Sequence, residues 1–211
     1  MTDYSSDWEI EYCGTEDEAW ARESFNQLIS FVMNSSDEDF REHIGEYLDV
    51  DAAVDYLLYI YALGVPDSAA KDLVMLWYGD RWIPSAFDLD EAFGLDADEA
   101  RYREVHEFLP AFTGEQWDSG TESLLWDRLL NLFTDEIILR YHSLREGPLA
   151  EDRMIDCVKA FIGQIPERFY DLDFYRYPER PMQDLHMDGQ IVQYISERMK
   201  ILDEIWEVDA E

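Results

Sequence analysis

The chain has 211 residues, 47% of them apolar and 15% aromatic, which is enough apolar material to bury one sizeable core and argues against general disorder. Its 49 acidic and 16 basic residues give a formal net charge of −33. Such a field repels nucleic acid and anionic membranes, so both are poor default partners. Cys13 and Cys157 lie far apart in the sequence and form neither a disulfide framework nor a metal-ligand spacing.

The first residues, MTDYSSDWEIEY, are acidic and lack the basic and apolar parts of a secretion signal. The longest uncharged apolar stretch, over residues 56–66, is too short to span a bilayer. We therefore expect a soluble chain without a signal peptide or a transmembrane segment. The sequence leaves its cellular compartment open.

Three helices are predicted before residue 64. TEDE at 15–18 is a capping box that precedes the first, SSDED at 35–39 starts the second, and Asp49 can cap the third. Gly64 suits the left-handed position that ends a helix. Their apolar stripes are most simply core.

The pattern then changes from a helical period to that of a β-hairpin. LVMLWY at 73–78 and RWIPSAF at 81–87 flank a Gly79-Asp80 pair, which is a two-residue hairpin signal. Pro84 predicts an edge or a bulge in the second strand, because proline cannot donate a ladder hydrogen bond.

The remainder is predicted as an acidic loop containing a short helix and then a helical region broken at Gly147-Pro148. The fold class is therefore mainly α with a small β-hairpin (α+β), in one domain over 1–211. The predicted segments are an N-terminal extension (1–18), helices (19–64), a loop, hairpin and acidic motif (65–94), an acidic loop (95–122) and a helical subdomain (123–207).

Four aspartates surround the predicted hairpin. Asp67 and Asp72 precede it, and Asp88 and Asp90 follow it, just before Phe93-Gly94. Protein kinases use the same order: a catalytic Asp, four residues, a polar metal ligand, a hairpin and a metal-binding Asp before Phe-Gly.

The chemistry of phosphoryl transfer explains this order, because a carboxylate orients the attacking hydroxyl and oxygen ligands hold divalent ions on the phosphates. In an extended conformation Asp88 and Asp90 project to one face, so four carboxylates would converge. That arrangement is costly without a cation. In so acidic a chain the same spacing also arises by chance, which leaves a solvated acidic surface open.

Residues 47–94 also resemble the core of the CotH spore-coat kinase family, which shows a "YLDVD…DY" helix, a Gly-Asn-x-Asp loop and a "GKW…PWDxDxxFG" element. The matching positions are Tyr47, Asp49, Asp51, Asp55, Tyr56, Gly64, Asp67, Trp82, Asp88, Asp90, Phe93 and Gly94. The similarity extends over about residues 20–207. It implies an atypical protein-kinase-like C-lobe and ATP-dependent phosphorylation of protein Ser.

By position, the resemblance makes Asp67 the catalytic-loop carboxylate and Asp72 a metal ligand, with Asp88 or Asp90 as the second metal carboxylate. The implied cofactors are Mg²⁺ or Mn²⁺ and ATP. The implied partner is a protein substrate.

The chain departs from the family pattern at several positions. Val65 and Asp72 stand where the family has Asn, and Phe87 stands where it has Trp. The sequence contains no Gly-rich loop and no strand lysine for the nucleotide phosphates, since Lys71 lies within the catalytic-type loop. We expect a C-lobe without its N-lobe, which either lies outside this sequence or is supplied by a separate chain.

Two other functions remain compatible with the sequence. One is a non-catalytic interaction module that keeps the C-lobe fold and binds an assembly partner, as in a spore coat or a virion. The other is a two-metal phosphoesterase that uses the same carboxylates, with nucleic acid disfavoured as its substrate.

Overall fold

The computed structural model describes residues 8–11, 13, 18–96, 101–113, 116–177 and 187–207. The helices are α1 (Glu18–Asn34), α2 (Asp37–His43), α3 (Val50–Leu63), α4 (Leu124–Leu132), α5 (Thr134–Arg145), α6 (Glu151–Ile162), α7 (Glu167–Arg176) and α8 (Met187–Ile205). The strands are β1 (Leu73–Tyr78), β2 (Arg81–Ala86), β3 (Leu95–Asp96), β4 (Arg101–Tyr102), β5 (Ala111–Thr113) and β6 (Gln116–Asp118). They pair consecutively into two-stranded antiparallel sheets, so the predicted mainly α class with a β-hairpin is confirmed.

Local capping chemistry fixes the ends of the early helices. The Ser36 hydroxyl accepts from the backbone N–H of Asp39, and the Asp49 carboxylate accepts from that of Ala52, at 3.1 and 3.0 Å. Gly64 ends α3 with φ +69°, as predicted. The predicted capping box at 15–18 falls mainly outside the described residues.

Helix α3 lies at the centre of the core. Nine of its 14 residues are buried, and it packs against β2, α5 and α8. A helix that is apolar on most sides is stable only when it is covered on most sides. The loop that follows α3 therefore starts from the middle of the molecule.

The predicted hairpin is confirmed, with Leu73 paired to Ala86 at its base and Tyr78 paired to Arg81 at its tip. Pro84 lies opposite Met75 in this two-stranded sheet, with the residue-to-residue register kept on both sides. The hairpin is tied to the start of α3 through Trp82, whose N–H and carbonyl bond to residues 47 and 49 at 2.8 Å.

The short helix predicted within 95–122 is wrong for the residues described there. Residues 101–113 and 116–122 contain no helix, and the short β3–β4 and β5–β6 ladders stand in the segment instead. Arg198 of α8 donates to the carbonyls of Val105, Glu107 and Phe108 at 2.6–2.8 Å. Because a helix would use those carbonyls internally, this side chain stabilises an irregular path.

The later helices follow the predicted order but are more divided. The region from residue 123 onward breaks at Phe133 into α4 and α5, and α6 ends before Pro166, which precedes α7. Of the helices in the described part of the chain, none is long and apolar enough to cross a membrane.

Candidate functional site

The catalytic-type loop is a 3₁₀ turn over Pro66–Ala69 that leads directly into Asp72. Asp67 lies in this turn, and its carbonyl accepts from the N–H groups of Ala70 and Asp72 at 3.1 and 2.9 Å. Its carboxylate is 38% exposed and accepts from Lys71 Nζ at 2.9 Å. The predicted catalytic carboxylate is thus accessible and already paired with a cation.

Two buried aromatic side chains donate hydrogen bonds to the carbonyls of this loop. Tyr56 donates its hydroxyl to the carbonyl of Ser68 at 2.6 Å, and the Trp126 indole donates to that of Ala69 at 2.8 Å. Their rings stack with centroids 5.7 Å apart. Burial raises the pKa of Tyr56, so the hydroxyl remains a donor at physiological pH.

The backbone of Asp72 joins the loop to the base of the hairpin, where the second strand ends. Its carbonyl accepts from the N–H of Phe87 at 3.1 Å, which places Asp72 opposite the residue before Asp88. Burial raises the pKa of the Asp72 carboxyl, Lys71 opposes the rise, and the charges of Asp67, Asp88 and Asp90 add to it. The other three sequence-predicted aspartates thus act on Asp72 through their charge.

The extended conformation expected for Asp88 and Asp90 is wrong. Strand β2 ends at Ala86, and Asp88 has φ +52°, in the left-handed region that non-glycine residues seldom occupy. Strand alternation therefore does not decide which way these two exposed carboxylates point. A non-glycine residue keeps this backbone conformation only where its surroundings impose it.

The turn after the acidic pair is held by a half-buried ion pair. Arg103 bonds Glu91 at 2.7 Å, and the two side chains are only 13% and 14% exposed. The Arg103 N–H also donates to the carbonyl of Gly94 at 2.7 Å. Phe93 and Gly94 both have positive φ, at +61° and +82°. The ion pair and the backbone bond thus fix the path of the chain just after Asp90.

Helix α8 reaches both halves of the site. Gln190 donates from Nε2 to the carbonyl of Phe93 at 2.9 Å. Tyr194 is only 4% exposed and packs against the backbone of Gly64 and of Gly94. One helix therefore touches the entrance of the catalytic-type loop and the exit of the acidic motif.

The comparison with protein families decides the relationship. A family model described as "CotH kinase protein" matches residues 2–202. The chain belongs to the CotH kinase family. Searches of curated proteins and of solved structures found no match. The predicted resemblance, whose most specific motifs lie in residues 47–94 and which was expected over about residues 20–207, is confirmed over most of the chain.

The four aspartates of this CotH-family chain suit a divalent cation in charge and in ligand type. Carboxylate oxygens are the ligands that Mg²⁺ prefers, and the charges of three of these aspartates disfavour the charged form of Asp72. Within the described ranges, however, no three His, Cys, Asp or Glu side chains are arranged to hold a metal ion. The expected convergence of the four carboxylates is therefore not found, because the chain leaves the strand conformation before Asp88.

The family departures have structural counterparts. Val65 stands where the family has Asn, and it is 2% exposed in the core. Phe87, in the place of the family Trp, is 63% exposed beside Asp88. The first departure replaces a polar side chain by an apolar one that packs in the core. The second keeps an exposed aromatic ring next to the acidic motif.

Sequence reasoning missed the residues that support the site. They are Tyr56, Trp126, Glu91, Arg103, Gln190, Tyr194 and Arg198. Tyr56 belongs to the family pattern, so its recurrence there was a usable signal. The residues of α8 act across more than 90 positions of sequence, where local patterning carries no signal.

Proposed function

We propose that this chain supplies the hydroxyl-activating and metal-binding half of a phosphotransferase site that acts with ATP on protein Ser. The observation that carries the proposal is the bond from the N–H of Phe87 to the carbonyl of Asp72 at 3.1 Å, which places the end of the catalytic-type loop beside the start of the acidic motif. The raised pKa of the Asp72 carboxyl supports it, because burial raises that pKa first and the charges of Asp67, Asp88 and Asp90 add to the rise. A cation bound here would relieve the repulsion that these charges exert on Asp72.

Asp67 is the residue best suited to receive the hydroxyl proton. Its carboxylate is accessible, and its backbone is fixed by bonds to Ala70 and Asp72 and by the aromatic support below the loop. Lys71 lies 2.9 Å from that carboxylate and balances part of its charge. A general base of this kind orients an attacking hydroxyl and accepts its proton as the new bond forms.

Asp72, Asp88 and Asp90 would hold Mg²⁺ or Mn²⁺. When bound, the ion neutralises charge on the ATP phosphates. The protein's contribution is to keep Asp72 at the base of the hairpin, opposite the start of the acidic motif, through its bond to Phe87. The left-handed backbone at Asp88 turns the chain at this point.

The groups that grip the nucleotide are proposed to come from a separate lobe. Lys71 is engaged with Asp67, which makes it unsuited to the α- and β-phosphates. The partners on this proposal are therefore a lobe that completes the nucleotide site and a protein that presents the phosphoacceptor.

Two aspartate variants separate the roles in one experiment. Mn²⁺ is titrated calorimetrically into the full chain, with and without ATP, using wild type, Asp67→Asn and Asp90→Asn. We expect binding that ATP strengthens, a loss of at least about tenfold in affinity for Asp90→Asn, and a much smaller loss for Asp67→Asn. Asp156→Asn, an exposed position on α6, is the matched control for removing one charge.

Phosphoryl transfer is the second readout. In the presence of the nucleotide-binding lobe, Asp67→Asn should lower the transfer rate by about 100-fold or more while keeping the ion. A folded wild-type protein that binds neither ion nor nucleotide would refute the proposal and favour the interaction module. Hydrolysis of a simple phosphoester with Mn²⁺ alone would favour the phosphoesterase.

A further inference from the structure

The carbonyl of Phe93 is held by a side chain that gives up one of its own hydrogen bonds. Gln190 donates to this carbonyl at 2.9 Å, and its Oε1 atom is buried without a hydrogen-bond partner among the described residues. A buried acceptor without a hydrogen bond lowers the stability of the fold. An apolar side chain would therefore suit this position better if residue 190 served only to fill space. The donor that faces Phe93 is therefore the useful part of the residue.

Tyr194, one turn further along α8, lies against two glycines with left-handed backbone. A Cβ on Gly64 would lie 2.0 Å from its hydroxyl oxygen, and one on Gly94 would lie 2.7 Å from Cε2 of its ring. The φ angles of the two glycines are +69° and +82°. The ring thus reaches the backbone at two points that only glycine leaves open.

The contacts of Gln190 and Tyr194 lie next to the two segments that carry the proposed site residues. Gly64 comes just before the loop that carries Asp67, and Phe93-Gly94 come just after Asp90. The strained conformation at Phe93 would relax if nothing held it. Both halves of the site thus contact the same helix. Arg198 of this helix also donates to the carbonyl of Tyr61 at 2.8 Å.

We infer that Gln190 and Tyr194 are positioning residues that set the catalytic-type loop and the acidic motif relative to each other. The inference builds on the proposed function, because the distance between Asp67 and the Asp88–Asp90 pair matters only if the two act on one phosphoryl group. Tyr194 acts on both halves, and Gln190 acts on the acidic motif alone. Neither residue is assigned a contact with ATP, metal or substrate.

Hydrogen exchange of the full chain, read by mass spectrometry, tests this assignment. Gln190→Met keeps the length of the side chain and removes the donor, so amides of residues 91–96 should exchange about tenfold faster while residues 65–72 stay unchanged. Tyr194→Leu should accelerate both segments. Residues 124–145, in α4 and α5, provide the internal reference.

Two further variants keep the test decisive. Gln193→Met alters the same residue type on the exposed side of α8, where its Nε2 donates to Glu197 at 2.8 Å, and should change neither segment. Tyr194→Phe removes only the hydroxyl facing Gly64, so it should accelerate residues 65–72 alone and replaces Tyr194→Leu if that variant does not fold. Exchange that rises uniformly, or stays unchanged in both segments of folded variants, would overturn the inference.

Mn²⁺ titration of the same variants separates this inference from the proposed function. We expect Gln190→Met to bind Mn²⁺ about tenfold more weakly at a nearly unchanged melting temperature without the ion, since it displaces the acidic motif. If wild type binds no Mn²⁺, the proposed function fails, and the exchange pattern still decides whether α8 positions the two segments. A variant with altered exchange and wild-type Mn²⁺ affinity would show a purely structural contact.

Discussion

The hydroxyl oxygen of Tyr194 lies 2.0 Å from the point that a Cβ on Gly64 would occupy. Helix α3 therefore ends in a residue that must be glycine for two independent reasons, its φ of +69° and the presence of this side chain. The contact joins residues that are 130 positions apart, at the entrance of the candidate site. It makes the position of the catalytic-type loop depend on the last helix.

Substitution of Gly64 separates these two reasons. Gly64→Ala should lower the free energy of unfolding by about 3 kcal/mol, of which about 1–2 kcal/mol is backbone strain and the rest is the clash. A Tyr194→Phe background removes the hydroxyl and leaves Cζ of the ring 3.0 Å from the Cβ position, so the same substitution should cost about 2 kcal/mol. Urea unfolding of the four proteins gives the coupling.

Gly79 offers the matched control for the strain alone. It has the same φ of +69°, and a Cβ placed on it meets no atom within 4 Å. Gly79→Ala should therefore lower the free energy of unfolding only by the backbone strain, about 1–2 kcal/mol, with either Tyr or Phe at position 194. If Gly64→Ala proves no more costly than Gly79→Ala, Tyr194 does not restrict this position.

Arg198 should be the most sensitive polar residue of the core. Its guanidinium is 0% exposed and donates to the carbonyls of Tyr61, Val105, Glu107 and Phe108. Arg198→Met leaves four carbonyls without this donor, so we expect a loss of about 3 kcal/mol or more in the free energy of unfolding.

The measurement is urea unfolding beside Lys200→Met, an exposed basic residue on the same helix that should change stability by less than about 0.5 kcal/mol. Arg198→Lys should recover little, because an ammonium group cannot reach the carbonyls as a planar guanidinium does. A cost below 1 kcal/mol for Arg198→Met would show that other groups or water satisfy these carbonyls.

Local chemistry explains what the sequence could predict. The caps at Ser36 and Asp49, the glycine that ends α3 and the hairpin around Gly79-Asp80 each depend on neighbours within a few positions. At these positions the local signals and the tertiary structure agree, which is the condition under which a sequence specifies its fold. The hairpin also brings Asp72 opposite Phe87, the residue before Asp88, as its predicted pairing implies.

Long-range contacts explain what the sequence could not predict. The left-handed backbone at Asp88 breaks the strand alternation on which the expected common face depended. The path of residues 103–108 depends on Arg198, and the turn at Phe93 depends on Gln190, both from α8. Tertiary partners at such separation leave no periodicity to detect.

The raised pKa of Asp72 gives a pH-dependent prediction for the metal-free protein. Because its folded-state pKa lies above the unfolded value, the folded chain binds the proton more readily, and stability falls as pH rises through the interval between the two. Asp72→Asn removes a charge that its acidic neighbours repel. It should therefore raise the free energy of unfolding at pH 7, by less than about 1 kcal/mol because the group is partly solvated.

Thermal unfolding across pH, in buffers with a metal chelator, measures this effect. Below the unfolded pKa wild type and variant should converge, since both then carry a neutral side chain. With saturating Mn²⁺ the order should reverse, because the variant loses a proposed ligand. A variant less stable than wild type at pH 7 without metal would show that the Asp72 carboxylate is stabilised by a partner.

Lys71 should weaken cation binding through its ion pair with Asp67. Its Nζ lies 2.9 Å from the Asp67 carboxylate and opposes the rise in the pKa of Asp72, so it lowers the negative potential at the proposed site. Lys71→Met should therefore bind Mn²⁺ about three- to tenfold more tightly at low salt. The gain should shrink at high ionic strength, because salt screens exposed charges.

Lys159→Met is the matched control for this charge change, since Lys159 is exposed on α6. It alters the net charge of the chain equally and should leave the affinity within about twofold of wild type, because Lys159 lies on α6 and Lys71 lies in the catalytic-type loop. Calorimetric titrations of both variants at two salt concentrations separate the local effect from the global one. Equal gains for both variants would mean that Mn²⁺ senses only the acidic surface, and the ion would then have to be placed away from Asp67.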